Sequence, residues 1–108
     1  MAKKSEAVEL GSGDVFVDLG FADAAERKLR VQIAMRLNAL IEEHGLTQAK
    51  AAAVFDIAQP HVSELKNYKL TRFSSERLMR LITLLDHDVQ IVIRPKAARR
   101  AHGVLSVA

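Results

Sequence analysis

Apolar residues recur at spacings of three and four from Leu29 through Ile33, Leu37, Leu40 and Ile41, which places them on one face of a helix. Asp23 precedes this run as a candidate N-cap with Glu26 three residues on, and Gly45 follows it where helices commonly stop. Two short helical patterns come next. Thr47 caps one that reaches about Phe55, and the other runs from Gln59 to about Asn67, with Asp56 at the tightest point between them. "NYKLTRF" reads as a polar, basic connection, after which Ser74 or Ser75 opens a fourth helix with Leu78, Leu81, Ile82 and Leu85 inward. Beyond "DHD" the pattern alternates. Val89, Ile91 and Ile93 share one face, Val92 lies on the other, and Pro95 ends the run, which predicts a strand.

The expected fold is therefore mainly α, a four- to five-helix bundle containing a helix-turn-helix and followed by a C-terminal β-strand. A lone strand leaves its edge groups unpaired. Its partner is either the weakly alternating "DVFVDL" of residues 14–19 or the same strand of a second subunit, and the two-fold dimer is the expectation. "DVFVDLGF" itself reads as a short strand or an irregular anchoring segment. Residues 1–13, polar, small and containing "GSG", read as a disordered tail; 14–95 form the domain; 96–108 are a basic tail, expected to be a solvated end.

Composition narrows the class. A chain of 108 residues suits one domain with tails, and its Ala, Leu, Val and Ile content with few aromatics and two prolines favours helices. The absence of cysteine excludes disulfides and thiolate metal sites. No apolar run approaches the ~18 residues of a membrane span, and the N-terminus lacks the apolar core of a signal peptide. A cytoplasmic, nucleoid-associated location without membrane contact is expected. The net charge of +3 is unevenly placed, with +2 over residues 47–72 and +4 over 94–108. The first of these windows suits a polyanion.

The segment "TQAKAAAVFDIAQPHVSELKN" carries the chemistry. Counting from Gln48, Ala52 lies four residues on, Asp56 eight, Ile57 nine, Val62 fourteen and Leu65 seventeen. Two helices crossing over a short turn bring their backbones together, so the contact position must be small, here Ala52. The turn residue must take a left-handed conformation, which Asp tolerates better than most non-glycine residues. Ile57 plugs the corner, while Val62 and Leu65 lock the second helix onto the first. This spacing is that of a helix-turn-helix.

The stretch resembles the helix-turn-helix of the Cro/C1-type (XRE) repressor family, carried here by Thr47, Gln48, Ala52, Ile57, Gln59, Val62, Ser63 and Leu65. The flanks, "DVFVDLGF" before the first helix and "FSSERLMRLITLLDHDVQIVIRP" after the motif, look like those of HigA-type antitoxins of type II toxin–antitoxin modules. The resemblance spans about Asp14 to Pro95. It implies a repressor of its own promoter and a partner toxin, typically a RelE/HigB-like mRNA endonuclease. The N-terminal tail and "DVFVDLGF" are the segments expected to meet that toxin. Three positions depart from the family pattern: Asp56 stands for the turn glycine, Ala58 for the hydroxyl cap of the second helix, and Asn67 is left as the candidate for the glycine that often follows it.

In this geometry the second helix enters the major groove. Its face opposite Val62 and Leu65 offers Gln59, Pro60, Ser63 and Glu64 to base edges. Gln59 leads, because a glutamine amide pairs bidentately with adenine. Ser63 can reach a base or a phosphate, Pro60 a thymine methyl, and Glu64 a cytosine amine, although a solvated or arginine-paired Glu64 is an equal alternative. Thr47, Gln48, Lys50, His61, Lys66, Asn67, Tyr68, Lys69 and Arg72 are the candidate backbone contacts. Double-stranded operator DNA and a homodimer are the implied partners, with half-sites ~10 bp apart.

An enzyme is the main competing class. The four histidines are scattered, "DHD" (86–88) is better explained by capping and solvation, and no phosphate-binding glycine loop or nucleophile elbow occurs. No catalysis, metal or cofactor is expected. The other alternative is a stand-alone XRE-family regulator without a toxin.

Overall fold

The computed structural model describes residues 18–108, with side chains from Asp23 onwards. Four helices follow one another: α1 (Asp18–Glu43), α2 (Gln48–Phe55), α3 (Gln59–Lys66) and α4 (Ser75–Thr83). The tail of residues 1–13 and the start of "DVFVDLGF" lie outside the described residues. Helix α1 begins at Asp18, five residues before the expected start. Asp18 to Phe21 are therefore helical, neither strand nor irregular anchor. Asp23 is not a cap but an interior residue, paired with Arg27 one turn on at 3.3 Å.

The core is formed where the helical faces meet. Ile33, Leu37 and Ile41 of α1 are buried against Val62 and Leu65 of α3 and Leu78 and Leu81 of α4, with Ala51 and Phe55 of α2 completing the set. Leu29, Leu40 and Ile82 are half-buried at its edge. Helix α1 packs on α4 and α3, and α2 packs on α3. At ~1.5–3 kcal/mol for each large side chain covered, this cluster is what holds three helices of only eight or nine residues, too short to be stable alone.

"NYKLTRF" is not simply a polar connection. Leu70 and Phe73 are both buried within it, so the loop is nailed to the core at two points. Ser74 caps α4, its side chain accepting the Arg77 amide at 3.0 Å.

After α4 no helix or strand is formed among the described residues. Val89, Ile91, Val92 and Ile93 all stand exposed, Ile93 at 91%. Of the intrachain pairing candidate, residues 14–19, Asp18 and Leu19 belong to α1 and the others lie outside the described residues. The chain end departs from a wholly solvated tail. Val107 packs against the core and Arg36 Nη1 donates to the Ala108 carbonyl at 2.8 Å.

Candidate nucleic-acid interface

Three helix ends in succession are built the same way. Gly45, two residues past the end of α1, has φ +64, and its amide and that of Leu46 donate back to the Glu42 and Ile41 carbonyls at 2.9 and 3.1 Å. Asp56 repeats this after α2 with φ 56, its amide on Ala53 at 3.3 Å and that of Ile57 on Ala52 at 3.1 Å. Tyr68 repeats it after α3 with φ 59, its amide on Leu65 at 3.1 Å and that of Lys69 on Glu64 at 2.8 Å. This pairing satisfies the terminal carbonyls and turns the chain sharply. Asp56 thus takes the left-handed conformation that its place in the turn requires. Asn67 does not: at φ −98 it precedes the left-handed residue, which is Tyr68. The Asn67 side chain instead donates to the Ser63 carbonyl at 2.9 Å, closing the end of α3.

The turn fixes α3 across α2. Val62 and Leu65 are fully buried and Ile57 is half-buried against the core, as the spacing predicts. The small residue wholly enclosed at the contact is Ala51, whereas Ala52 is half-buried at its edge and supplies the carbonyl that Ile57 bonds. Asn38 of α1 braces the far end of α3, its Nδ2 donating to the Leu65 carbonyl at 3.1 Å.

What remains outward is the candidate surface. Gln59 and Pro60 are exposed in the first turn of α3; His61, Ser63 and Glu64 are half-exposed along it, and Lys66 is exposed at its end. Ala58 makes no side-chain cap; the His61 amide donates to the Ala58 carbonyl at 2.9 Å, and Pro60 sits where no amide is needed. Thr47 caps α2 by accepting the Lys50 amide at 3.1 Å, which leaves its hydroxyl proton free to donate outward. Gln48, half-buried, opens the same helix. Lys50, Lys66 and Lys69 are exposed and carry no ion pair among the described residues, and Tyr68 is exposed as well.

Glu64 and Arg72 are brought together. Arg72 Nε donates to Glu64 Oε1 at 2.6 Å and Nη2 lies 3.4 Å from Oε2. The guanidinium, through these hydrogen bonds, holds the Glu64 carboxyl below its ordinary range, and the carboxylate raises Arg72 in return. Of the two readings for Glu64, the geometry realises the arginine-paired one. Nothing in the sequence spacing announces this contact, because the partners are eight residues apart across a loop. Thr71, which lines the cleft beside the pair, was likewise not singled out by the sequence.

The sequence profile of the helix-turn-helix domain family matches residues 15–94. A solved structure described as an XRE-family transcriptional regulator is 52% identical, with a TM-score of 0.76; the match covers 80% of this chain and 97% of that one. No curated protein matches the chain.

Proposed function

The chain belongs to the XRE family of helix-turn-helix transcriptional regulators, and within it we propose that it is a sequence-specific repressor that binds operator DNA through α3. One observation carries this reading. The Asp56 turn packs Val62 and Leu65 inward and thereby leaves Gln59, Pro60 and Ser63 outward on α3, with exposed lysines on α2 (Lys50), at the end of α3 (Lys66) and in the loop after it (Lys69). Gln59 reads an adenine edge, Ser63 assists, and Thr47, Gln48 and the lysines hold phosphates.

The repressor acts as a two-fold dimer in which Val89, Ile91, Val92 and Ile93 pair as a strand with their counterparts in a second copy. Their exposure, with the alternating pattern that precedes Pro95, supports this. The flanking segments' likeness to HigA-type antitoxins supports a further role, neutralisation of a RelE/HigB-like mRNA endonuclease and repression of the shared promoter. The chain has no catalytic role and needs no cofactor in this reading. Among the described residues no helix is long and apolar enough to cross a membrane.

Two experiments test these levels separately. Gel-shift titration on DNA from upstream of the gene should show specific binding, and its absence there would refute autoregulation. Co-purification from the native source should bring down a small basic protein encoded next to it. A lone gene without such a partner would leave the DNA-binding role and remove the antitoxin one.

A further inference from the structure

The loop after α3 is held rigidly and leaves three polar side chains standing out. Its Lys69 amide bonds Glu64, Leu70 and Phe73 are buried, and the Leu70 carbonyl accepts from Arg30 Nη1 at 3.0 Å. At the other end, Arg77 donates to the Arg72 carbonyl at 3.1 Å while its guanidinium lies 5.1 Å from the centre of the Phe73 ring. Between these anchors Lys69, Thr71 and Arg72 are exposed, and with Glu64 they line an open cleft of about 420 Å³.

The donors in this cleft are unevenly spent. Glu64 takes two of the five N–H groups of Arg72, on Nε and Nη2. Three remain, beside the Lys69 ammonium and the Thr71 hydroxyl, neither of which has a side-chain partner among the described residues. A set of donors around a guanidinium already fixed in a bidentate pair matches the oxygens of a phosphate. Exposed ion pairs are usually of little consequence; this one differs in that it fastens the loop's cation to the helix that reads the groove.

We propose that Glu64 is a positioning residue rather than a base reader. It holds Arg72 so that Arg72, Lys69 and Thr71 together receive one phosphate of the DNA backbone beside α3. The proposal rests on the DNA-binding reading above. It has a sign that a simple surface carboxylate lacks. With Arg72 present, Glu64 aids binding by orienting it; with Arg72 removed, the bare carboxylate repels DNA.

The test uses the full chain as wild type, E64Q, R72Q and the double variant, each titrated against a mixed-sequence DNA duplex over a range of salt. E64Q should weaken binding about fivefold when Arg72 is present and strengthen it when Arg72 is absent, a coupling expected of side chains in contact. R72Q should lower the slope of log affinity against log salt by about one, as one lost phosphate contact requires. Tighter binding by E64Q in both backgrounds, or the same change in both, would overturn the positioning role. An unchanged slope for R72Q would overturn the phosphate contact. If the wild type binds no duplex at all, the DNA-binding reading falls and this one with it; if it binds and the coupling is missing, this one falls alone.

Discussion

Phe73, Leu37, Ile41, Leu65, Leu78 and Val62 in the helical part of the chain are fully covered, whereas Ile91 and Ile93 beyond α4 are 73% and 91% exposed. The residue types hardly differ. What differs is whether the described residues supply a matching surface. Helix α2 meets α3 across a short turn and α1 packs on α3 and α4, so the helical faces cover one another. The alternating segment after α4 forms no strand among the described residues, and its apolar side chains stand in solvent. One region buries its apolar faces within the chain; the other leaves them exposed, and on that exposure the proposed dimer rests.

Substitutions at the two regions should separate them most strongly. Phe73→Ala empties a site with no solvent exposure and should cost ~3–5 kcal/mol in chemical denaturation. Ile93→Ala, measured at a concentration where the chain is monomeric, should stay within about 0.5 kcal/mol of wild type. Equal losses at both positions would erase the distinction. Ile91→Lys should weaken self-association by tenfold or more, since it puts a charge into the apolar strip (about 1.5–3 kcal/mol for a side chain of this size). Sedimentation equilibrium reads this directly, and an unaltered dimer, or a wild type that is monomeric throughout, would remove the strand from the interface.

Within the helical unit, the outward face should behave differently from the turn that presents it. Gln59→Ala should cost ~1–3 kcal/mol on the operator and relax the preference at one base position. Equal weakening on every sequence would refute base reading. Asp56→Gly should leave stability unchanged or raise it by up to ~1 kcal/mol, since glycine adopts the left-handed φ of 56 without strain. A clear fall in melting temperature would reveal a partner for the Asp56 carboxylate.

The extent to which this was legible in the sequence follows the same division. Local rules were sufficient for the cap at Thr47, the left-handed Asp56 and the inward Val62 and Leu65, and they narrowed the start of α4 to Ser74 or Ser75, because each depends mainly on residues close to it in sequence. They failed where tertiary contact decides. Leu70 and Phe73 sit singly among polar neighbours, so no periodicity marked them as core. Tyr68 takes the left-handed place in preference to Asn67, although asparagine has the better intrinsic tolerance, because the two amides that close α3 belong to Tyr68 and Lys69. The Glu64–Arg72 pair crosses a loop whose path no spacing encodes.

As proposed, α2 and α3 form a groove-reading unit that a two-fold dimer presents twice. Hydroxyl-radical footprinting of the full chain on the DNA upstream of its gene tests this most directly. The account predicts two protected patches on one face of the duplex, about one helical turn (~10 bp) apart centre to centre. A single patch, or protection that follows no particular sequence, would contradict it.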